Sequence, residues 1–303
     1  MRKSRAFVGL LNNPVVPSII GHAPELVEYV DVIPDRLWYD FEFGLASGRR
    51  FRRVTGAIEE LKRCAAGRVL GGHGIGLSLP SAISIDLAMV EAVAALAQEL
   101  NFQWFSEHLS MFLVANGSVP NAQAGLGLPI AYDEESFEII RDKLAIVKNA
   151  IGCNLLLENP AIFTPVPGSD MSEPQFLNRL HAEVGCATLL DLHNLYVGKR
   201  NGVLSPLDYL EQLDPNCVEE IHLAGGDELS GFYMDSHSGL TPHEVWDWAY
   251  TFGPRFRNLR AIVFEFHESY FGKLGMTGVV GELERMHELA EALTTKASLS
   301  DAG

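Results

Sequence analysis

Eight short runs of apolar and β-branched residues recur along the chain, and nearly every run is followed by a longer segment with helical spacing. This alternation is typical of β/α units whose strands lie parallel in one sheet. Because eight such units can close into a cylinder, the pattern predicts the α/β class and a (β/α)8 TIM barrel. The predicted strands are Ala6–Leu11, Tyr29–Ile33, Arg68–Leu70, Phe102–Phe105, Asn154–Leu157, Ala187–Leu190, Val218–Ile221 and Ala261–Phe264. The predicted helices are Val54–Ala66, Ile85–Leu100, Glu134–Ile151, Glu173–Val184, Pro206–Leu213, Pro242–Thr251 and Val279–Leu293.

The 303 residues are enough for one large domain or two small ones. No linker, repeat or low-complexity segment divides the sequence, so we predict one domain over residues 1–293 and a flexible tail over 294–303. An open, doubly wound sheet is the alternative fold, but no predicted strand is followed by a glycine-rich phosphate-binding loop. The longest irregular stretch, Met111–Tyr132, is predicted to form a loop over the barrel mouth.

Composition excludes several classes of function. The chain carries 23 basic and 39 acidic residues, a net charge of −16, whereas a duplex-binding protein needs a basic face. The arginine clusters within residues 49–53 and 255–257 are short. No run approaches the roughly 20 apolar residues of a membrane span, and the first apolar run is too short for a signal peptide. The four cysteines are far apart and form no C-x-x-C pair. We expect a reduced, cytoplasmic enzyme with no nucleic-acid or membrane partner.

Residue types that bind metals occur where the predicted strands end and in the loop after the seventh strand. In chain order they are His73, His108, Glu158, Asp191, Asn194, His222, Asp235, His237 and Glu265. The carboxyl ends of barrel strands converge on one rim, which is where the active sites of such barrels lie. We therefore expect these nine side chains to share one pocket. Asp235 and His237 are two residues apart, a spacing that puts both on one side of an extended segment.

Such a pocket requires positive charge. One histidine or one acidic residue at a strand end is most often structural or caps the next helix. Four carboxylates gathered without lysine or arginine, however, would repel one another and would be costly to remove from water. Bound metal ions are the simplest source of the missing charge, and nine ligands are too many for one ion. Carboxylate and imidazole ligands without thiolate suit iron, manganese or zinc.

The strings HGIGLSL, SEHLS, LLLENP, LLDLHNLYV, IHLAGG and DSHSG resemble those of a known family. It is the family of multinuclear non-heme iron-dependent oxidative enzymes (MNIO), within the xylose-isomerase-like and endonuclease IV-like TIM barrels. That family is linked to the modification of ribosomally made peptides. The resemblance extends from about Val69 to Glu265. Gly226 stands where the family has a second histidine, and the segment 32–38 lacks the usual E-N string. Both departures leave the predicted ligands intact and bear on substrate handling.

The resemblance implies three metal sites. The first ion would be held by His73, His108 and Glu158, and the second by Glu158, Asp191, His222 and Glu265, with Glu158 bridging. The third would be held by Asn194, Asp235 and His237. It further implies two or three iron ions in mixed Fe(II)/Fe(III) states, dioxygen as co-substrate, and cysteine residues of a precursor peptide as the substrate. A partner protein that binds the leader peptide is common in the family. Direct roles in the reaction are expected for Glu158, Asn194, Asp235 and His237.

Two other enzyme classes share this barrel and remain alternatives. A trinuclear zinc phosphodiesterase of the endonuclease type is disfavoured by the acidic charge and by Asn194, where that branch has histidine. A divalent-metal sugar isomerase usually needs a lysine beside its substrate, and no lysine lies at a predicted strand end. His193 and His267 are expected to support ligands or to pack. The aromatic residues Trp38, Tyr39, Phe41 and Phe43 are expected to line a peptide groove or to join the core.

Overall fold

A closed barrel of eight parallel strands forms the centre of the structure, which is a computed structural model describing residues 5–41, 50–116 and 119–300. Each strand pairs with the strands next to it in sequence, and the first pairs with the last. The strands are β1 (Phe7–Leu11), β2 (Tyr29–Val32), β3 (Val69–Gly74), β4 (Trp104–His108), β5 (Asn154–Glu158), β6 (Ala187–Asp191), β7 (Val218–Leu223) and β8 (Ala261–Phe264). The predicted fold class is therefore confirmed.

Nine α-helices occur in the described part of the chain. They are α1 (Val16–His22), α2 (Thr55–Cys64), α3 (Leu87–Leu100), α4 (Glu134–Ile151), α5 (Glu173–Val184), α6 (Leu192–Arg200), α7 (Pro206–Gln212), α8 (His243–Phe252) and α9 (Phe271–Ser300). Seven correspond to predicted helices. The other two, α1 and α6, were not predicted; α6 begins directly after β6, with no loop between them to mark a new element. In the described ranges, no helix combines the length and the apolar character needed to cross a bilayer.

The last helix is longer than the predicted Val279–Leu293 segment. Within α9, Gly275 has a φ of 68° and interrupts the helical backbone, so the segment is two helical pieces joined at this residue. A positive φ of this kind costs glycine little, which explains why the break falls there. The single-domain boundary at residue 293 stays a prediction, and residues 301–303 of the expected tail lie outside the described residues, as do Phe43 and Arg49.

Strand β3 extends four residues beyond its predicted end at Leu70, through Gly71, Gly72, His73 and Gly74. Glycine is rare in strands, so the sequence pattern missed this extension. Close packing explains the composition: a Cβ on Gly72 would lie 2.6 Å from the Phe102 ring. The extension matters because it places His73 within the barrel wall rather than in a loop.

The segment Met111–Tyr132 is not an irregular loop, as was predicted. Most of it forms an antiparallel hairpin of Met111–Asn116 and Val119–Leu128, with Met111 opposite Leu128. Its glycine, asparagine and proline content hid the alternation expected of strands, and the ladder is irregular. The hairpin follows β4, so it lies at the carboxyl ends of the barrel strands. Shorter hairpins follow β2 (Trp38–Asp40 with Phe51–Arg53) and β7 (Asp227–Leu229 with Phe232–Met234).

Alternation along each strand divides the core into two parts. Outward-facing strand residues pack against the helices in the large apolar cluster. Inward-facing residues form a smaller cluster inside the barrel, consisting of Tyr29, Trp104, Leu156, Ala187, Leu189, Ala261 and Val263. These side chains fill the lower barrel, and the predicted ligands lie above them at the carboxyl ends of the strands.

A buried carboxylate outside the barrel joins two helices and the segment that precedes α4. Glu173 is the first residue of α5 and is 6% exposed. Its carboxylate oxygens accept hydrogen bonds from the Tyr132 hydroxyl (2.6 Å) and the Tyr209 hydroxyl (2.8 Å). Burial raises the pKa of Glu173 to about 7, although both hydrogen bonds act in the opposite direction.

We predict that Glu173→Gln flattens the pH dependence of stability. Between the ordinary pKa of 4.5 and a pKa of about 7, the folded protein keeps this proton and the unfolded chain loses it. Stability from this residue is therefore full below the lower value and falls as pH rises towards the upper one. Glutamine cannot ionise, so at pH 8 the variant should gain up to roughly 3 kcal/mol in the free energy of unfolding.

Denaturant unfolding at pH 5 and pH 8 measures this difference. Glu135→Gln, which changes an exposed residue on α4, serves as the control and should keep the wild-type dependence. Parallel stability curves for Glu173→Gln and the wild type would show that Glu173 is not held in its neutral form.

Candidate metal centre

The predicted ligands lie at one rim of the barrel. His73, His108, Glu158, Asp191 and His222 belong to the ends of strands β3 to β7, and Glu265 directly follows β8. Strand register places them at the same height along the barrel, since His108 is paired with Glu158 and Asp191 with His222. The expectation that six successive strands deliver these side chains to one place therefore agrees with the geometry.

The first group consists of His73, His108 and Glu158. Glu158 Oε2 lies 2.9 Å from His108 Nδ1 and 3.4 Å from His73 Nε2. The Nε2 atoms of the two histidines are 3.1 Å apart. One potential ligand atom from each residue lies within 4.8 Å of the others, so the group could hold one metal ion. The Ser106 hydroxyl contacts His73 Nδ1 at 2.8 Å and helps to fix that ring.

The second group shares Glu158 with the first. Glu158, Asp191 and His222 are all buried, and their ligand atoms also lie within 4.8 Å of one another. Glu265 adjoins this group, with its Oε1 3.0 Å from His222 Nδ1. Its second oxygen, Oε2, lies 3.3 Å from His237 Nε2, so Glu265 contacts the second and third predicted sets at once.

Two members of the third set, Asp235 and His237, lie in direct contact with each other. Asp235 Oδ1 and His237 Nε2 are 3.0 Å apart, and their side chains are 23% and 25% exposed. The expected extended segment is wrong, because His237 has a φ of 50°, in the left-handed region. The two side chains nevertheless meet. His193, predicted to support a ligand or to pack, is buried with Nδ1 3.0 Å from Asp235 Oδ1.

Asparagine side chains fix the junction between β6 and α6. Asp191 caps α6 by accepting from the Asn194 backbone N–H at 2.7 Å. Asn159 donates to the Asp191 carbonyl (2.9 Å) and accepts from the Asp191 N–H (2.8 Å). Asn194 Nδ2 donates to Glu158 Oε1 at 3.2 Å and to the Asn159 carbonyl at 3.0 Å. With its amide nitrogen occupied in this way, Asn194 can present only its oxygen to an ion.

Buried polar atoms without hydrogen-bond partners concentrate among the predicted ligands. Six of them belong to predicted ligands, namely Glu158 Oε2, Asp191 Oδ2, Asn194 Oδ1, both ring nitrogens of His222 and Nε2 of His237; others belong to Asp31, Glu107, His193 and Glu220 nearby. An unpaired buried polar atom normally costs stability, which makes such a concentration unusual. Oxygen and imidazole nitrogen atoms of this kind suit a borderline transition metal. The residues present therefore fit a metal centre.

Without a bound metal, protonated histidines balance part of the negative charge of the carboxylates at this rim. Burial lowers the pKa of His73 well below its ordinary value. At His108 burial acts in the same direction, but the Glu158 carboxylate outweighs it and raises the pKa to about 9. Burial also lowers the pKa of His237, but the carboxylates of Asp235 and Glu265 outweigh it and raise that pKa to about 10. Metal binding has to displace these protons, so it should weaken as pH falls.

A cavity of about 510 Å³ opens above the cluster, with His108, Asn194 and Asp235 in its wall. Most of the remaining lining is apolar and includes Phe112, Leu126, Phe163 and Phe232. Residues Phe112 and Leu126 come from the hairpin after β4, which agrees with the prediction that this segment covers the mouth. Of the aromatic residues proposed for a groove, Trp38 is instead buried in the core and Tyr39 is 54% exposed. The apolar lining residues lie in loops and hairpins, and the sequence predicted only that the segment Met111–Tyr132 would cover the mouth, not which of its side chains would line the cavity.

Two acidic residues beside His222 were not selected from the sequence. Asp31 on β2 and Glu220 on β7 are fully buried and lie near His222 on the side away from Glu265. Glu220 is two residues before His222 on the same strand, so the period-two rule could have identified it.

Comparisons with known proteins agree with this description. The chain is 29% identical over 236 residues to a UPF0276 protein of Caulobacter vibrioides, covering 78% of each chain. It is 32% identical over 234 residues to a UPF0276 protein of Chromobacterium violaceum, covering 76% of this chain and 81% of the relative. Among solved structures, endonuclease IV of Thermus thermophilus superimposes with a TM-score of 0.54 at 16% identity, covering 94% of this chain and 99% of that one. The last likeness concerns the fold alone.

A family profile described as RiPP precursor modification enzyme MbnB/TglH/ChrH matches residues 9–290. This range includes all eight barrel strands except the first two residues of β1. The match thus spans the whole candidate metal centre and confirms the resemblance drawn from the sequence strings. This chain is an enzyme that belongs to the MbnB/TglH/ChrH family of RiPP precursor modification enzymes.

Proposed function

We propose that this enzyme is a multinuclear non-heme iron, dioxygen-dependent oxidoreductase that modifies cysteine residues of a ribosomally synthesised precursor peptide. The observation that carries the proposal is the convergence of imidazole and carboxylate ligands from successive strand ends beneath an apolar cavity. Family membership supports the peptide substrate, because the family consists of precursor modification enzymes.

Three ligand sets would hold the metal. His73, His108 and Glu158 form the first, Glu158, Asp191, His222 and Glu265 the second, and Asn194, Asp235 and His237 the third. When bound, iron would supply the redox chemistry with dioxygen and a binding site for the substrate sulfur. The protein contributes the placement of ligands on rigid strands and a cavity wall that limits the access of water.

The protein's own cysteines are poorly suited to supply a thiolate to the metal centre. Cys186 and Cys217 are buried, and burial raises the pKa of each thiol to about 12. Cys64 and Cys153 are half-buried, and burial raises their pKa values as well. None of the four lines the cavity. A thiolate at the metal centre would therefore come from the substrate.

The cavity wall suggests how that substrate would enter. His108, Asn194 and Asp235 are the predicted ligands that border the cavity, so a peptide side chain would meet the centre from the side of the third set. Aromatic and aliphatic residues from the flanking hairpins would pack against the peptide. A separate partner protein that binds the leader peptide would then hold the remainder of the precursor.

Metal analysis of protein purified without oxygen, combined with turnover, tests the proposal. We expect two or three iron ions per chain and a dioxygen-dependent mass change in a cysteine-containing precursor peptide. The same peptide with serine in place of cysteine should not change. A zinc-loaded protein that cleaves abasic DNA, or a manganese-loaded protein that isomerises a sugar, would contradict the proposal in favour of the two alternative classes.

We predict that Glu158→Gln lowers the occupancy of two ions together. Oε2 of Glu158 contacts both histidines of the first group, and the same residue belongs to the second group. A neutral amide removes the charge that both ions would share. Iron per chain should fall by more than in Asp235→Asn, which touches only the third set. Equal losses in the two variants would show that Glu158 does not bridge.

We predict that a mild chelator removes one ion faster than the others. The third set has one neutral amide ligand, and its Asp235 and His237 side chains are 23% and 25% exposed. Glu158, His222 and Glu265 of the second set are at most 3% exposed, and the first set, in which His108 is 22% exposed, contains no amide ligand. Iron release should therefore show a fast phase of about one equivalent, and Asp235→Asn should lack it. A single slow phase in the wild type would contradict the assignment of this weaker site.

A further inference from the structure

A cluster of polar side chains fills the barrel directly below the candidate metal centre. It consists of Asp31 and Tyr29 on β2, Trp104 on β4 and Glu220 on β7, and we refer to these four residues as the barrel-floor cluster. Asp31, Tyr29 and Glu220 are 0% exposed and Trp104 is 1% exposed. None of them belongs to the nine predicted ligands. Burying two carboxylates costs free energy, so a compensating interaction or function is expected for them.

Each carboxylate of the barrel-floor cluster is held by an aromatic donor. The Tyr29 hydroxyl donates to Asp31 Oδ1 at 3.0 Å, and Trp104 Nε1 donates to Glu220 Oε2 at 2.6 Å. The two aromatic rings stack with centroids 4.9 Å apart and an interplanar angle of 17°. The donors therefore brace one another, and each fixes the rotation of one carboxylate.

The remaining oxygen of each carboxylate faces the same histidine nitrogen. Asp31 Oδ2 lies 3.4 Å and Glu220 Oε1 lies 3.5 Å from His222 Nε2; both distances are at the long limit for a hydrogen bond, and neither oxygen has a closer partner. On the opposite edge of the ring, His222 Nδ1 lies 3.0 Å from Glu265 Oε1. The His222 ring thus separates the barrel-floor cluster from the predicted ligands.

A glycine on the neighbouring strand leaves space for the Tyr29 hydroxyl. A Cβ on Gly71 would lie 1.8 Å from the Tyr29 hydroxyl oxygen, so any other residue at position 71 would displace the donor of Asp31. Gly71 is part of the glycine-rich end of β3 that sequence analysis missed as a strand. The close approach of the Tyr29 hydroxyl to the backbone therefore explains why position 71 is glycine, independently of the metal ligands.

We propose that Asp31 and Glu220 are positioning residues for His222: they accept the Nε2–H and thereby present Nδ1 to the second metal ion. The inference rests on the proposed function, because it assumes that His222 binds a metal. Histidine ligands generally donate their second ring N–H to a carboxylate or carbonyl, which fixes the tautomer and the ring orientation. The same three residues could alternatively bind a cation of their own, since their ligand atoms lie within 4.8 Å of one another.

Metal affinity of the double variant Asp31→Asn/Glu220→Gln tests the proposal. Its amide oxygens can still accept from Tyr29 and Trp104, but the amide N–H groups would then face His222 Nε2. The histidine would change tautomer and protonate Nδ1. We expect the affinity of one Co²⁺ ion, titrated against a competing chelator, to fall by about 10–100-fold. The stoichiometry at saturating Co²⁺ should stay the same, while the visible spectrum of that ion shifts.

Glu173→Gln is the matched control. It makes the same isosteric change at a buried glutamate that also accepts from aromatic hydroxyls, but outside the barrel. Its Co²⁺ affinity should equal that of the wild type. Unchanged Co²⁺ affinity in the double variant would overturn the proposal. So would the loss of one whole equivalent at saturation, because Asp31 and Glu220 would then themselves be ligands.

A measurement on the wild type covers the case in which the double variant does not fold. Nitrogen-15 chemical shifts of Zn²⁺-loaded protein labelled at histidine identify which ring nitrogen carries the proton. We expect His222, assigned through His222→Gln, to be protonated at Nε2 and metal-bound at Nδ1, and the reverse tautomer would overturn the proposal. A chain that binds no metal at all would instead contradict the proposed function, so the two failures can be distinguished.

Discussion

The electrostatic cost of burying carboxylates is the constraint on which the rest of the structure depends. Glu158, Asp191 and Glu265 are each at most 2% exposed, and Asp31 and Glu220 below them are fully buried. Among the described residues, Lys143 on α4 is the only buried lysine or arginine, so no buried lysine or arginine inside the barrel compensates them. Protons and imidazolium groups can supply part of the charge, and metal ions supply it more completely. A barrel with such an interior is built to contain cations.

Neutral hydrogen-bond donors orient these carboxylates without cancelling their charge. Asn194 donates to Glu158, Tyr29 to Asp31 and Trp104 to Glu220. Had arginine or lysine made the same contacts, the pocket would be closer to neutral and would attract a metal less strongly. The choice of amide, phenol and indole donors therefore keeps the negative potential available to the ions while it limits the rotation of each ligand. Orientation and charge are controlled by different residues.

The fold could be predicted from the sequence because each β/α unit repeats the same local pattern, and the sequential strand order follows from short connections. The convergence of the candidate ligands could be predicted because barrel topology alone brings strand ends together. Features set by tertiary packing were missed: β3 continues through glycines required by Phe102 and Tyr29, and the hairpin after β4 pairs in spite of poor strand composition. Asp31 escaped notice because a single acidic residue in an apolar strand has no motif. The lining of the cavity depends on how hairpins fold over the mouth, which no periodicity encodes.

The position of each ligand in the chain determines how it can act. His73, His108, Glu158, Asp191 and His222 lie on barrel strands, whose hydrogen-bonded ladders hold them rigidly and mostly away from solvent. Asp235 and His237 lie beyond the hairpin after β7, and the left-handed backbone of His237 departs from any regular element. Ligands on irregular segments can adjust when a substrate arrives, whereas ligands on strands maintain a fixed geometry. The cavity opens beside His108, Asn194 and Asp235, so a substrate could reach both a strand-borne residue of the first set and the third set. Of the three candidate sites, the second is the most deeply buried, and the third is the one whose Asp235 and His237 lie on a segment able to adjust.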